Sequence, residues 1–62
     1  MATTARPRAL IVDDEENIRF LVGSALELAG FEARTAATGN EALNLIEHFR
    51  PDAIVLDVLL PF

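Results

Sequence analysis

The stretch Ala9-Leu10-Ile11-Val12-Asp13-Asp14-Glu15-Glu16 runs four apolar residues directly into four acids. A second stretch, Ala53-Ile54-Val55-Leu56-Asp57, repeats the arrangement near the other end of the chain. Continuous apolar runs rich in branched side chains are how strands covered on both faces of a parallel sheet read. Residues 9–13 and 53–57 are therefore predicted as central strands, each delivering carboxylates to its C-terminal end.

Between them, Phe31-Glu32-Ala33-Arg34-Thr35-Ala36 alternates imperfectly between apolar and polar, the pattern of a half-exposed edge strand. Residues 16–29 put Ile18, Leu21, Val22, Ala25, Leu28 and Ala29 on one helical stripe, and Gly30 follows where a left-handed stop is wanted. Thr38-Gly39-Asn40-Glu41 has the spacing of a capping box, opening a second helix that carries Ala42, Leu43, Ile46 and Phe49 inward until Pro51 forbids continuation.

The order is βαβαβ. With the second strand at an edge and the third central, right-handed crossovers give an α/β architecture with strand order 2-1-3 and one helix on each face. The reversal of direction at the first strand is a topological switch point, and ligand crevices of open parallel sheets lie beyond the C-terminal ends of the strands flanking such a point. Asp13, Asp14 and Asp57 stand at those ends.

Composition narrows the classes. The chain has 62 residues, 52% of them hydrophobic and 24% charged, with a formal charge of -5, five arginines set singly and no lysine. A chain of this size buries only roughly 60% of its unfolded surface, so it reads as one small, marginally stable domain or a piece of a larger one. An acidic chain without a basic patch argues against direct nucleic-acid contact by this segment. No cysteine is present, which removes disulfides and thiolate metal sites and fits a cytoplasmic protein. The opening MATTARPR has no apolar core behind it and no apolar run approaches the roughly 18 residues needed to span a bilayer, so no leader or membrane segment is expected.

Three carboxylates gathered at one sheet end would raise each other's pKa unless something positive sits among them. A hard divalent cation such as magnesium answers this with oxygen ligands and suits a site of phosphoryl transfer. A blander reading stays open for Asp13 and Asp14, because an Asp between strand and helix commonly caps the helix. Asp57 fits that reading less well, since Val58-Leu59-Leu60-Pro61 does not resemble a first helical turn; its bland alternative is a turn aspartate.

VDDE closing the first strand, LDVLLP closing the third, Gly30 ahead of the second and Gly39-Asn40-Glu41-Ala42-Leu43 opening the second helix together resemble the receiver domain of bacterial two-component response regulators. The resemblance runs from Arg8 to Pro61. It implies a flavodoxin-like, doubly wound fold of which this chain holds the N-terminal half: a flexible start over residues 1–8, then βαβαβ over 9–62. It implies Asp57 as phosphoacceptor from a sensor histidine kinase, Asp14 as a direct magnesium ligand, Asp13 supporting through water, and Asp57 and the backbone carbonyl of Leu59 completing the protein ligands. Members of that family also use a Ser or Thr and a Lys at the ends of their fourth and fifth strands, positions this chain does not reach. The resemblance further implies a signalling module, not an enzyme, and LLP after Asp57 is similar to regulators carrying a DNA-binding output domain.

The first helix is apolar over a wider arc than one sheet face requires. Its flank of Asn17, Leu21, Ser24 and Leu28 matches the side on which the resembling family docks its kinase; equally, it would pack against a further helix of the same domain, and Phe20, off the stripe, would cover a similar neighbour. His48, the only histidine, reads as a surface residue near a helix C-terminus and not as a phosphoryl donor. Two competing functions share the acidic crevice. A magnesium-dependent phosphatase or nuclease of related fold would want a second acid that Leu59 does not supply, and a phosphorylation-independent pseudo-receiver is disfavoured by the intact Asp13, Asp14 and Asp57. With Ile54, Val55 and Leu56 on an uncovered strand, self-association or a complementing fragment is expected.

Overall fold

The computed structural model describes residues 5–56. It contains β1 (Arg8–Val12), α1 (Glu16–Leu28), β2 (Glu32–Ala36), α2 (Gly39–Phe49) and β3 (Ala53–Leu56). All three strands are parallel, in the order β2-β1-β3. The fold class and strand order are those expected from the sequence. Asp57, Leu59 and the rest of 57–62 lie outside the described residues.

β1 is the centre of the core because its apolar residues are covered from both sides. Leu10 and Val12 face α2, clustering with Ala36 and Ala42 while Leu45 packs against them. Ile11 faces the opposite way, and Leu10, Ile11 and Val12 are the largest fully buried side chains. Burying each is worth about 1.5–3 kcal/mol. β1 opens at Arg8, one residue earlier than its apolar run, because Arg8 is tied on both sides: its N–H donates to Asp52 Oδ2 at 2.8 Å and its carbonyl accepts from Asp52 N at 2.8 Å.

Both helices turn a narrower face inward than the hydrophobic pattern indicated. In α1 the sheet-facing residues are Ile18, Val22, Gly23 and Leu26, while Leu21, Ala25, Leu28 and Ala29 are exposed. Gly23 is the buried residue of this helix, and a Cβ there would meet the Thr35 methyl at 3.8 Å, an ordinary contact. With Gly23 and its neighbours Ile18, Val22 and Leu26 turned to the sheet, much of the apolar stripe faces away from it. In α2, Ala42 and Leu45 point at the core, and Leu43 and Ile46 do not.

Local chemistry sets the helix ends. Thr38 Oγ1 accepts from Glu41 N at 3.2 Å, as the capping-box spacing predicted, but Glu41 returns its carboxylate to Ala37 N at 2.8 Å instead of to Thr38. α1 ends in a Schellman arrangement: Gly30 N donates to Glu27 O at 3.0 Å and Phe31 N to Leu26 O at 2.9 Å, with Gly30 at φ 100°. α2 ends at Arg50, left-handed at φ 56°, before Pro51.

β3 departs most from its reading as a covered central strand. Among the described residues it pairs with β1 alone, neither helix reaches it, and all four of its residues are exposed. Its sequence is that of a buried strand, but nothing among the described residues covers its faces. An open groove of about 610 Å³ runs between α2 and β3, lined on its apolar side by Val12, Leu43, Ile46, Ile54 and Leu56.

Candidate functional site

The C-terminal ends of β1 and β3 lie side by side, because Val12 pairs with Leu56 in register. Asp13 follows Val12. Its N–H donates to Ala36 O at 3.1 Å, extending the ladder toward β2, and the residue is only 9% exposed. Its Oδ1 accepts from Glu15 N at 2.8 Å, and its carbonyl accepts from Arg19 Nη1 at 2.8 Å. Asp14, the next residue, is exposed. Asp57 follows Leu56 in sequence and lies outside the described residues.

These contacts answer the capping alternative. The N-cap of α1 is Glu15, which makes no side-chain cap bond. Asp13 instead binds the amide two residues on, holding the turn that leads into the helix. Arg19 was not singled out from the sequence. Helical spacing brings it back to the strand end from the first turns of α1, where its guanidinium supplies positive charge at the acidic end of β1.

The donor set suits a hard cation. Asp14 offers an exposed carboxylate, and Asp13 keeps one carboxylate oxygen without a protein partner among the described residues while the other is fixed by Glu15. Few carboxylates with room for water is what magnesium accepts. Among the described residues no group of three or more His, Cys, Asp or Glu side chains is arranged to hold a metal ion. The further ligands expected from the sequence, Asp57 and the Leu59 carbonyl, fall outside those residues.

On α1, Asn17, Leu21 and Leu28 are exposed and Ser24 is half-buried, with Leu21 64% and Leu28 91% accessible. Phe20 adds a further exposed ring beside them. His48 is exposed and its Nδ1 donates to the Asn44 carbonyl at 2.8 Å, within its own helix and away from the strand ends. No helix among the described residues is long and apolar enough to cross a membrane.

A parallel sheet wound in the order 2-1-3, with aspartates where its central strand ends, defines part of a doubly wound α/β module with its switch point at that strand. The chain belongs to the response regulator receiver domain family, whose model matches residues 9–62. It is 43% identical to regulatory protein AtoC of Escherichia coli over 94% of this chain and 13% of that protein. It is 47% identical to transcriptional regulatory protein PrrA of Mycobacterium tuberculosis over 89% of this chain and 24% of that protein. It is 50% identical to the alkaline phosphatase synthesis transcriptional regulatory protein PhoP of Bacillus subtilis over 87% and 22% of the respective chains. The chain thus spans a quarter or less of the length of these curated relatives. Receiver domains are signalling modules of two-component systems, interact with histidine kinases and bind magnesium.

Proposed function

We propose that this receiver segment accepts a phosphoryl group from a sensor histidine kinase on Asp57, in a reaction that requires magnesium. The observation that carries this reading is the pairing of Val12 with Leu56, which sets the residues just ahead of Asp13-Asp14 and of Asp57 next to each other. In the transfer, a carboxylate oxygen of Asp57 attacks the phosphorus of the kinase's phosphohistidine. The phosphorus–nitrogen bond breaks, its electron pair stays on the imidazole, and an acyl phosphate forms on Asp57.

Asp14, Asp13 through water, the Asp57 carboxylate and the Leu59 carbonyl would hold magnesium, which when bound offsets the repulsion between the nucleophile and the phosphoryl oxygens. The chain's own contribution is positional. The Glu15 amide orients Asp13, and Arg19 fixes the carbonyl of the same residue, so the turn that carries Asp14 is held at both ends.

The exposed α1 flank of Asn17, Leu21, Ser24 and Leu28 is the proposed docking face for the kinase. Residues 1–62 are proposed as the N-terminal part of a receiver domain in a cytoplasmic parent protein, and the names of the relatives favour a transcriptional regulator whose DNA contacts are made elsewhere. The open face of β3 supports association with a second copy or a complementing segment when this chain stands alone.

The test is incorporation of labelled phosphate from a small phosphodonor in the parent protein. Asp57→Asn should abolish the base-labile label, and retention of full labelling would refute the assignment. Asp14→Asn should weaken magnesium binding measured by titration calorimetry; unchanged affinity would remove it from the ligand set.

A further inference from the structure

The two outer edges of the sheet are built differently. Main-chain groups of a strand point alternately to either side. Glu32 N–H donates to Pro7 O at 2.8 Å and Ala36 O accepts from Asp13 N–H at 3.1 Å, so Glu32, Arg34 and Ala36 face β1. Phe31, Ala33, Thr35 and Ala37 therefore direct their N–H and C=O groups outward, where another strand could pair with them.

Most of those outward groups are already taken. The Phe31 carbonyl accepts from Arg6 Nη1 at 3.4 Å, and its N–H donates to Leu26 O. The Ala33 N–H donates to Glu27 Oε2 at 3.0 Å and its carbonyl accepts from Arg34 Nη1 at 3.2 Å. The Ala37 N–H donates to Glu41 Oε1 at 2.8 Å. Among residues 31–37 only the Thr35 N–H and carbonyl and the Ala37 carbonyl are outward groups without such a cap.

The capping side chains are themselves anchored. Glu27 Oε1 pairs with Arg6 Nη1 at 3.1 Å, and Arg34 Nη2 pairs with Glu32 Oε2 at 3.0 Å. Arg34 also lies over the Phe49 ring, its guanidinium carbon 4.9 Å from the centroid. The Ala33 amide, and then Arg6, hold the Glu27 carboxyl below its ordinary pKa, as expected for a carboxylate fixed in its charged form. On β3, by contrast, no side chain among the described residues caps a main-chain group, and the exposed side chains are apolar.

We propose that Arg6, Glu27, Arg34 and Glu41 seal the outer edge of β2 against main-chain pairing with a second copy of this chain. A strand entering there must gain its ladder at Ala33 and Thr35, and at Ala33 it finds both groups occupied by charged side chains. Protein edges are commonly blunted by charge in this way, and the asymmetry directs strand addition to β3. The inference does not depend on phosphorylation at Asp57.

Two measurements test it in the full chain. Glu27→Ala should speed hydrogen exchange of the Ala33 amide about fivefold or more, the loss expected for one hydrogen bond, while amides in β1 stay unchanged. An Ala33 amide that exchanges as before would overturn the seal. Second, on a Val55→Lys background that charges the β3 edge, adding Glu27→Ala and Arg34→Ala should tighten self-association in sedimentation by at least tenfold. Adding Thr35→Pro should then reverse the gain, because that outward N–H is lost without cost to the ladder with β1. Association that does not rise, or that rises and ignores Thr35→Pro, would show that the caps do not guard this edge.

Discussion

Val12 and Leu56 are register partners on adjacent strands, yet Val12 is 1% exposed and Leu56 50%. The two runs that carry them read alike, so the difference lies in what covers them. Among the described residues β1 has a strand on each side and a helix on each face, whereas β3 has one strand and no helix.

The exposed β3 leads to the first prediction. At micromolar concentration the 62-residue chain should sediment as an associated species, with Ile54, Val55 and Leu56 in the contact. Val55→Lys should shift it toward monomer and lower its thermal stability, since an edge lysine opposes strand addition. A cooperative melt from a stable monomer, unaffected by Val55→Lys, would contradict this.

The α2 core face gives a paired comparison. Leu45 packs against the central cluster while Leu43 is largely exposed. In the parent protein Leu45→Ala should cost about 2–4 kcal/mol in denaturant unfolding, as deletions of packed leucines do. If the Leu43 surface is free there, Leu43→Ala should change stability by less than about 0.5 kcal/mol; a large loss at Leu43 would show that another part of the parent covers the groove.

Glu27 sets a pH dependence. Its carboxyl lies below the ordinary value of 4.5 because of the Ala33 amide first, then the hydrogen bond from Arg6, with Arg34 adding charge. A carboxyl whose folded pKa is depressed stabilises the fold above its unfolded pKa, and that contribution is lost as pH falls through the folded value. Glu27→Gln should therefore be less stable than wild type at pH 7, and the gap should close below about pH 4.5. A gap independent of pH would assign the effect to packing alone.

For the proposed kinase face, Leu21→Asp should slow phosphoryl transfer from the kinase well over tenfold while transfer from a small phosphodonor stays near wild type. A surface contact affects association without touching the acidic strand ends. Equal loss of both rates, with a lower melting temperature, would place Leu21 in the parent's core.

The sequence by itself determined the βαβαβ order, the strand order 2-1-3 and the place of Asp13 and Asp14 just beyond the C-terminal end of β1. Each rests on a local signal: apolar runs for β1 and β3, Gly30 and Pro51 as helix stops, Thr38 and Glu41 at a cap, with chirality deciding the winding. Tertiary structure decided which residues of each apolar stripe turn inward. Periodicity marked Leu21, Leu28, Leu43 and Ile46, but the fold turned Gly23, Leu26 and Leu45 to the sheet, because the position of each helix over β1 and β2 fixes its rotation. Arg19 at the Asp13 carbonyl and the caps along β2 were equally invisible beforehand. They join residues through side-chain reach across a helix and a sheet edge, a relation that no spacing in the sequence encodes.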